Sequence, residues 1–119
     1  MKINEYGIQN EEIILMFPPL GCRSDVYDFV RPELEKKYHM MVVGYPGVDD
    51  DMNTDFSSVE EVVKEVEDWL LAKGLFYLKC VFGCSMGGGM VARMINNDRI
   101  KADFYIMDGG MTPYNCRNP

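Results

Sequence analysis

Four short apolar segments recur along the chain, each of the length expected for a β-strand that is buried on both faces. They comprise residues 13–17, 40–44, 79–82 and 104–107. Polar stretches with helical periodicity separate the segments, and residues 2–6 have the pattern of an edge strand that turns at Gly7. This alternation predicts an α/β fold with a parallel sheet of about four strands and helices on both faces.

The first predicted helix follows Ser24 or Asp25, either of which can cap it. Pro32 falls inside the apolar pattern of this helix, so we expect the helix to start late or to kink there. The positions predicted to face the core are Val26, Phe29, Val30 and Leu34.

Two further helices are predicted with clearer boundaries. One opens at a capping box over residues 57–60 and ends at Gly74, with glutamates and lysines on its outer face. Its inward positions are Val59, Val62, Val63, Val66 and Leu70. The other runs from Met86 to about Asn97, and its core positions are Val91, Met94 and Ile95.

The third apolar segment runs directly into Gly83-Cys84-Ser85-Met86-Gly87. A serine with glycine two positions before and two positions after it, between a strand and a helix, has the pattern of a nucleophile elbow. The turn is so sharp that side chains at the two glycine positions would collide. We expect the Ser85 hydroxyl to project from the carboxyl edge of the sheet, with the Met86 N–H directed at a developing oxyanion. The alternative is a glycine-rich turn that binds an anion or has no chemical role.

Length, charge and hydropathy exclude several functional classes. With 119 residues and 47% hydrophobic content, the chain can form one domain with a core. The net charge of −7 would repel a nucleic acid or an anionic membrane. The N-terminal residues lack the apolar region of a signal peptide, and the longest apolar run contains two prolines. We therefore expect neither a nucleic-acid nor a membrane partner.

The cysteines and aspartates give little sign of a metal site. The four cysteines have no C-x-x-C spacing, which is typical of reduced thiols in a cytoplasmic protein rather than of a zinc site. Asp49, Asp50 and Asp51 could hold a hard cation, but they lack the ligand spacing of calcium loops. We expect no metal and no cofactor.

The order of these parts resembles the N-terminal half of the α/β-hydrolase fold family, which includes serine esterases and lipases. Residues 13–24 resemble its third strand and oxyanion loop, and residues 40–47 its fourth strand. Residues 79–89 resemble the fifth strand and elbow, and residues 104–110 the sixth strand. The resemblance implies a single domain over residues 1–119 that stops after the sixth family strand.

Within that resemblance, Ser85 is the implied nucleophile and the Met86 N–H is one implied oxyanion donor. The family usually has His-Gly after its third strand, whereas this chain has Phe17-Pro18-Pro19-Leu20. Because proline has no N–H, the candidate second donor is Leu20, or Gly21 if the register shifts by one residue.

A catalytic triad also needs a histidine and an acid. The only histidine, His39, precedes the second buried strand and is expected at the amino edge of the sheet, roughly 15 Å from Ser85. A general base must come within about 3 Å of the proton it takes, so His39 cannot serve. Asp108 ends the last strand on the same edge as Ser85, where some family members carry their acid. Its alternative role is that of a turn residue before Gly109 and Gly110.

Two functions remain. In the first, the chain is the N-terminal part of a serine hydrolase for an ester, thioester or amide, and the missing histidine leaves the isolated chain with little turnover. In the second, it is a non-catalytic domain of the same fold whose elbow is a relic or binds a small anion. In either case we expect residues 104–107 to leave an apolar sheet edge that favours self-association.

Overall fold

The computed structural model describes residues 2–19, 21–46 and 58–109. The strands in these ranges are β1 (Lys2–Tyr6), β2 (Ile13–Phe17), β3 (His39–Gly44), β4 (Tyr77–Cys84) and β5 (Lys101–Asp108). They form one sheet in the order β1-β3-β2-β4-β5. β3, β2, β4 and β5 are parallel, and β1 pairs antiparallel with β3 at one edge. The predicted edge strand and the four predicted parallel strands are confirmed, but the expected burial on both faces is wrong for β5, most of which is exposed.

The segment between β2 and β3 is less regular than the single helix predicted there. A 3-10 turn (Ser24–Tyr27) is followed by the one-turn helix α1 (Arg31–Leu34). Pro32 lies in the first turn of α1, where backbone N–H groups make no hydrogen bonds within the helix, so proline is tolerated there. The predicted late start of this helix is confirmed. The prediction for Phe29 is wrong, because this residue falls between the two segments and is 80% exposed. Tyr27 is the buried aromatic residue instead.

Helix α2 (Val59–Ala72) begins one residue later than the capping box predicted. The Ser58 hydroxyl caps it by accepting a hydrogen bond from the Glu61 N–H at 3.1 Å. The predicted inward face is confirmed, since Val62, Val63, Val66 and Leu70 are buried and Val59 is partly buried. Glu67 contradicts the expectation that the glutamates face outward, because it is fully buried.

Helix α3 (Met86–Asn97) has the predicted bounds, and the residue that caps its C-terminus, Asp98, adopts a left-handed conformation. Val91 and Met94 are buried as predicted, whereas Ile95 is 42% exposed. Met90 takes the core position in its place, because the buried stripe of α3 advances by three or four residues from Gly87 through Met90 and Val91 to Met94.

Two apolar clusters cover opposite faces of the sheet. The larger lies under α2 and α3, and the smaller lies under the 3-10 turn and α1. Helices therefore cover both faces, as predicted. The outer strand β5 contrasts with the buried central strands, because its Phe104, Ile106 and Met107 are 56%, 45% and 49% exposed. None of the described helices is both long enough and apolar enough to cross a membrane.

Candidate active site

Ser85 joins β4 to α3 through a strained turn. Its backbone has φ 58° and ψ −120°, a conformation that is costly for a residue with a side chain. Two backbone hydrogen bonds hold it there. The Ser85 N–H donates to the Asp108 carbonyl at 3.0 Å, and the Ser85 carbonyl accepts from the Gly88 N–H at 2.9 Å. This is the local geometry that the Gly-x-Ser-x-Gly spacing predicts.

The two flanking glycines are where the elbow is most crowded. A Cβ atom on Gly83 would lie 2.0 Å from the carbonyl oxygen of Gly87. A Cβ atom on Gly87 would lie 2.1 Å from the carbonyl oxygen of Phe17, at the end of β2. Neither position can carry a side chain without a backbone shift, so the elbow depends on glycine at both.

Of the predicted oxyanion donors, Met86 lies within the described residues and Leu20 does not. Met86 is the first residue of α3, so its N–H has no acceptor within the helix and lies at the end of the helix that favours negative charge. Gly21 has a positive φ of 78°, and the N–H of the next residue, Cys22, donates to the Pro19 carbonyl at 3.1 Å. The second donor therefore stays a prediction.

Two tyrosines that were not predicted as site residues form hydrogen bonds with the backbone at the end of β2. The Tyr27 hydroxyl donates to the Phe17 carbonyl at 2.8 Å, and the Tyr45 hydroxyl donates to the Pro18 carbonyl at 2.5 Å. Burial raises the pKa of both hydroxyls above the ordinary tyrosine value, so both stay protonated and can donate. The sequence offered one sign of such a contact: Tyr45, which has a polar hydroxyl, directly follows a predicted buried strand.

Asp108 lies where the sequence predicted. It is the last residue of β5, pairs in register with Cys84, and holds the elbow through its backbone carbonyl. Burial is the main cause of the raised pKa of Tyr27, and the nearby Asp108 carboxylate raises it further. A role for the Asp108 carboxylate as the acid of a triad stays a prediction.

His39 lies at the opposite edge of the sheet. It is the first residue of β3 and pairs with Ile13, whereas Phe17 pairs with Gly83 at the edge that carries the elbow. Four residue steps along β2 correspond to about 13 Å. The His39 ring instead meets Glu5 of β1, with Nε2 2.7 Å from Oε1. The amino-edge placement is confirmed, and His39 cannot act on Ser85.

The arrangement can present a serine hydroxyl beside a site for an anionic oxygen. It does not place the sole histidine of the sequence within reach of that hydroxyl. Across the described ranges, no three His, Cys, Asp or Glu side chains group as metal ligands. The three aspartates considered above as ligands of a hard cation, Asp49, Asp50 and Asp51, lie outside those ranges.

Comparison with known proteins identifies the fold. No protein-family model matches the sequence, and no curated protein matches it. Among solved structures, an α/β-hydrolase family protein from Desulfitobacterium hafniense aligns over 92% of this chain and 44% of its own, with a TM-score of 0.86 and 19% identity. A hydrolase from Oleispira antarctica aligns over 98% and 44%, with a TM-score of 0.77 and 24% identity.

A thioesterase of prodiginine biosynthesis from Streptomyces coelicolor aligns over 91% of this chain and 42% of its own, with a TM-score of 0.75 and 17% identity. The chain thus spans less than half the length of these structures. The predicted resemblance to part of the α/β-hydrolase fold is confirmed.

Proposed function

We propose that this chain is the N-terminal part of a serine hydrolase that cleaves an ester, thioester or amide through an acyl-enzyme on Ser85. The observation that carries the proposal is the strained Ser85 conformation at φ 58°, held between two glycines that admit no side chain. A fold retains such strain where the surrounding structure enforces it, and this occurs most often at functional sites.

In the proposed reaction, the Ser85 oxygen attacks the carbonyl carbon of the substrate and forms a new C–O bond. The carbonyl electron pair moves to oxygen, and the Met86 N–H with a second donor after Pro19 stabilises that oxyanion. A histidine takes the serine proton and gives it to the leaving group as its bond to the carbonyl carbon breaks. Water then repeats the sequence and releases the acid.

The histidine is the part that these 119 residues do not supply, because the sole histidine lies at the opposite sheet edge. The proposal therefore places the base, and an acid to orient it, in sequence outside this chain, with Asp108 as an alternative source of the acid. The isolated chain is expected to show little or no turnover, since oxyanion stabilisation without a base is a small part of a full triad.

We propose a small-molecule acyl compound as the substrate, acted on in the cytoplasm. The net charge of −7 argues against a nucleic-acid substrate. One of the similar structures is a thioesterase, which is compatible with this substrate class. Ester and amide substrates would use the same arrangement of serine nucleophile and oxyanion donors.

A fluorophosphonate probe tests the proposal, because it phosphonylates an activated serine. The proteins to compare are this chain, its Ser85→Ala variant and a longer product of the same gene. We expect labelling of the longer protein only, and its loss with Ser85→Ala. Labelling of the 119-residue chain would mean that it contains a general base for Ser85 other than His39. Labelling of neither protein would contradict the proposal.

A non-catalytic domain of the same fold is the second candidate. The placement of His39 at the far edge favours it, because a relic elbow needs no base. An unlabelled longer protein that folds and melts cooperatively would support this function. A small-anion site would then show as a rise in melting temperature with inorganic phosphate that Ser85→Ala leaves unchanged, since backbone N–H groups bind the anion.

A further inference from the structure

The backbone that leaves β2 carries an unusual pair of acceptors. The chain exits through Phe17, Pro18 and Pro19, and the two prolines have no N–H with which to bond a neighbouring strand. Phe17 is the last residue of β2 paired with β4, opposite Gly83. The Phe17 carbonyl accepts a hydrogen bond from the Tyr27 side chain, and the Pro18 carbonyl accepts one from the Tyr45 side chain.

The two tyrosines reach these carbonyls from opposite faces of the sheet. Tyr27 belongs to the smaller apolar cluster, where its ring packs edge-on against Phe82 with centroids 5.7 Å apart. Tyr45 belongs to the larger cluster under α2 and α3 and is fully buried. Two anchors on consecutive carbonyls, one from each face, restrict both the position and the rotation of the segment between them.

The anchored segment also lies against the elbow. A Cβ atom on Gly87 would lie 2.1 Å from the Phe17 oxygen and 3.0 Å from the Pro18 oxygen. Gly87 directly follows Met86, whose N–H is the implied oxyanion donor. A shift of the Phe17–Pro18 backbone therefore changes its spacing from the first turn of α3.

We propose that Tyr27 and Tyr45 are positioning residues, whose hydroxyls hold the backbone at the end of β2 at the distance from the Met86 N–H that an oxyanion site requires. This inference rests on the proposed function, which gives the two anchors a catalytic consequence. A merely structural role, in which each hydroxyl satisfies a buried carbonyl, would stabilise the fold without affecting the oxyanion.

The test replaces the serine by a thiol, which needs no histidine to react. In the Ser85→Cys variant, the thiolate attacks p-nitrophenyl acetate, a C–S bond forms, and p-nitrophenolate leaves with the electrons of the broken C–O bond. This reaction passes through an oxyanion. Iodoacetamide alkylates the same thiolate by displacing iodide, with no oxyanion. Peptide mass spectrometry at position 85 gives both rates, and their ratio reports oxyanion stabilisation independently of thiolate fraction and access.

The ratio is then measured after adding Tyr27→Phe, Tyr45→Phe or Tyr105→Phe to the Ser85→Cys protein. Tyr105 is the matched control, because its hydroxyl also donates to a backbone carbonyl, that of Ile100, at 2.8 Å. We expect the ratio to fall about tenfold with either Tyr27→Phe or Tyr45→Phe, in line with the cost of small misplacements in active sites. Alkylation rates and the Tyr105→Phe ratio should not change.

Two outcomes would overturn the inference while leaving the proposed function in place. One is an acylation-to-alkylation ratio that neither Tyr27→Phe nor Tyr45→Phe changes. The other is an equal fall with Tyr105→Phe, which would mean that the ratio follows general stability. The proposed function itself would fail differently: the parent thiol would show the same ratio as free glutathione, with no oxyanion stabilisation to lose.

Discussion

Steric space at two residues decides whether the elbow forms. Gly83 and Gly87 each face a backbone carbonyl so closely that even a methyl group must displace main chain. Gly74 offers the opposite case, because its φ of 76° disfavours a side chain but no other atom lies within 4 Å of its Cβ position. Comparing the three positions separates the cost of a clash from the cost of a left-handed backbone.

We predict that Gly83→Ala and Gly87→Ala each lower the free energy of unfolding by about 3 kcal/mol or more, or prevent folding. Gly74→Ala should cost roughly 1–2 kcal/mol, the usual penalty for a left-handed residue with a Cβ. Urea denaturation followed by circular dichroism measures these values. Equal costs at Gly83 and Gly74 would show that the elbow is not as crowded as the structure indicates.

The anchoring tyrosines also predict how stability depends on pH. Burial raises the pKa of Tyr27 and Tyr45, so above about pH 10 the unfolded chain loses these protons while the folded chain keeps them. The unfolded state then binds fewer protons, and the free energy of unfolding falls as pH rises. We expect this alkaline fall to be shallower in Tyr27→Phe and in Tyr45→Phe. Denaturation at pH 8 to 11 measures it, and slopes unchanged by both variants would contradict the assignment.

At the scale of elements, a buried carboxylate joins α2 to the last residue of α3 and to the connection that follows it. Both oxygens of Glu67 lie 3.2 Å from the Asn97 side-chain nitrogen, and one lies 3.1 Å from Arg99 Nη1. Arg99 also bonds Asp68 at 2.7 Å, which holds the pKa of that carboxyl below its usual range. Burying Glu67 is tolerable because these partners compensate for the loss of water.

We predict that Arg99→Ala lowers the free energy of unfolding by about 3 kcal/mol, near the lower end for breaking a buried ion pair, because Asn97 still serves the carboxylate. The matched control is Lys64→Ala, which removes the exposed pair with Asp68 and should cost less than about 1 kcal/mol. Denaturant unfolding measures both variants. An Arg99→Ala cost as small as that of Lys64→Ala would contradict a stabilising role for the buried pair.

The elements that sequence predicted well are those determined by local pattern. Each of the four parallel strands contains a short, largely apolar segment, and the elbow follows from glycine spacing around Ser85, so both could be recognised without tertiary information. Phe29 was misassigned because the helical periodicity was extended to residues that precede the late start of α1. Ile95 was misassigned because periodicity does not show how α3 is rotated against the sheet. Glu67 was missed because its partners lie about 30 residues away in sequence.

The same limit applies to the candidate site. Ser85, Met86 and Asp108 were predicted because each lies at the end of an element whose direction the fold class fixes. The acceptors of the two tyrosine hydroxyls could not be predicted, since Tyr27 and Tyr45 meet them across 10 and 27 residues, and no local pattern pairs a tyrosine with a distant carbonyl.

At the scale of the whole molecule, the sheet is covered unevenly. The central strands β2 and β3 are buried on both faces, whereas the edge strand β5 exposes Phe104, Ile106 and Met107. An exposed apolar edge strand offers both unpaired backbone groups and apolar surface to another chain. A net charge of −7 opposes association, and salt screens that repulsion.

We predict that this chain self-associates in a concentration-dependent manner, more strongly at high salt, through β5. Ile106→Lys should reduce association, because a lysine on an edge strand disfavours pairing with another edge. Ile95→Lys is the matched control, an exposed isoleucine on α3 whose replacement should leave association unchanged. Sedimentation velocity distinguishes the outcomes, and a monomer at all concentrations and salt levels would contradict the prediction.

If Ser85 occupies a site built for acyl transfer, supplying the missing base from solution should activate it. The measurement is fluorophosphonate labelling of this chain with increasing imidazole, with the modified residue mapped by peptide mass spectrometry. We predict an adduct on Ser85 that forms faster as the imidazole concentration rises and is absent from Ser85→Ala. Adducts on other residues, or labelling of Ser85 no faster than of exposed serines in the same chain, would contradict it.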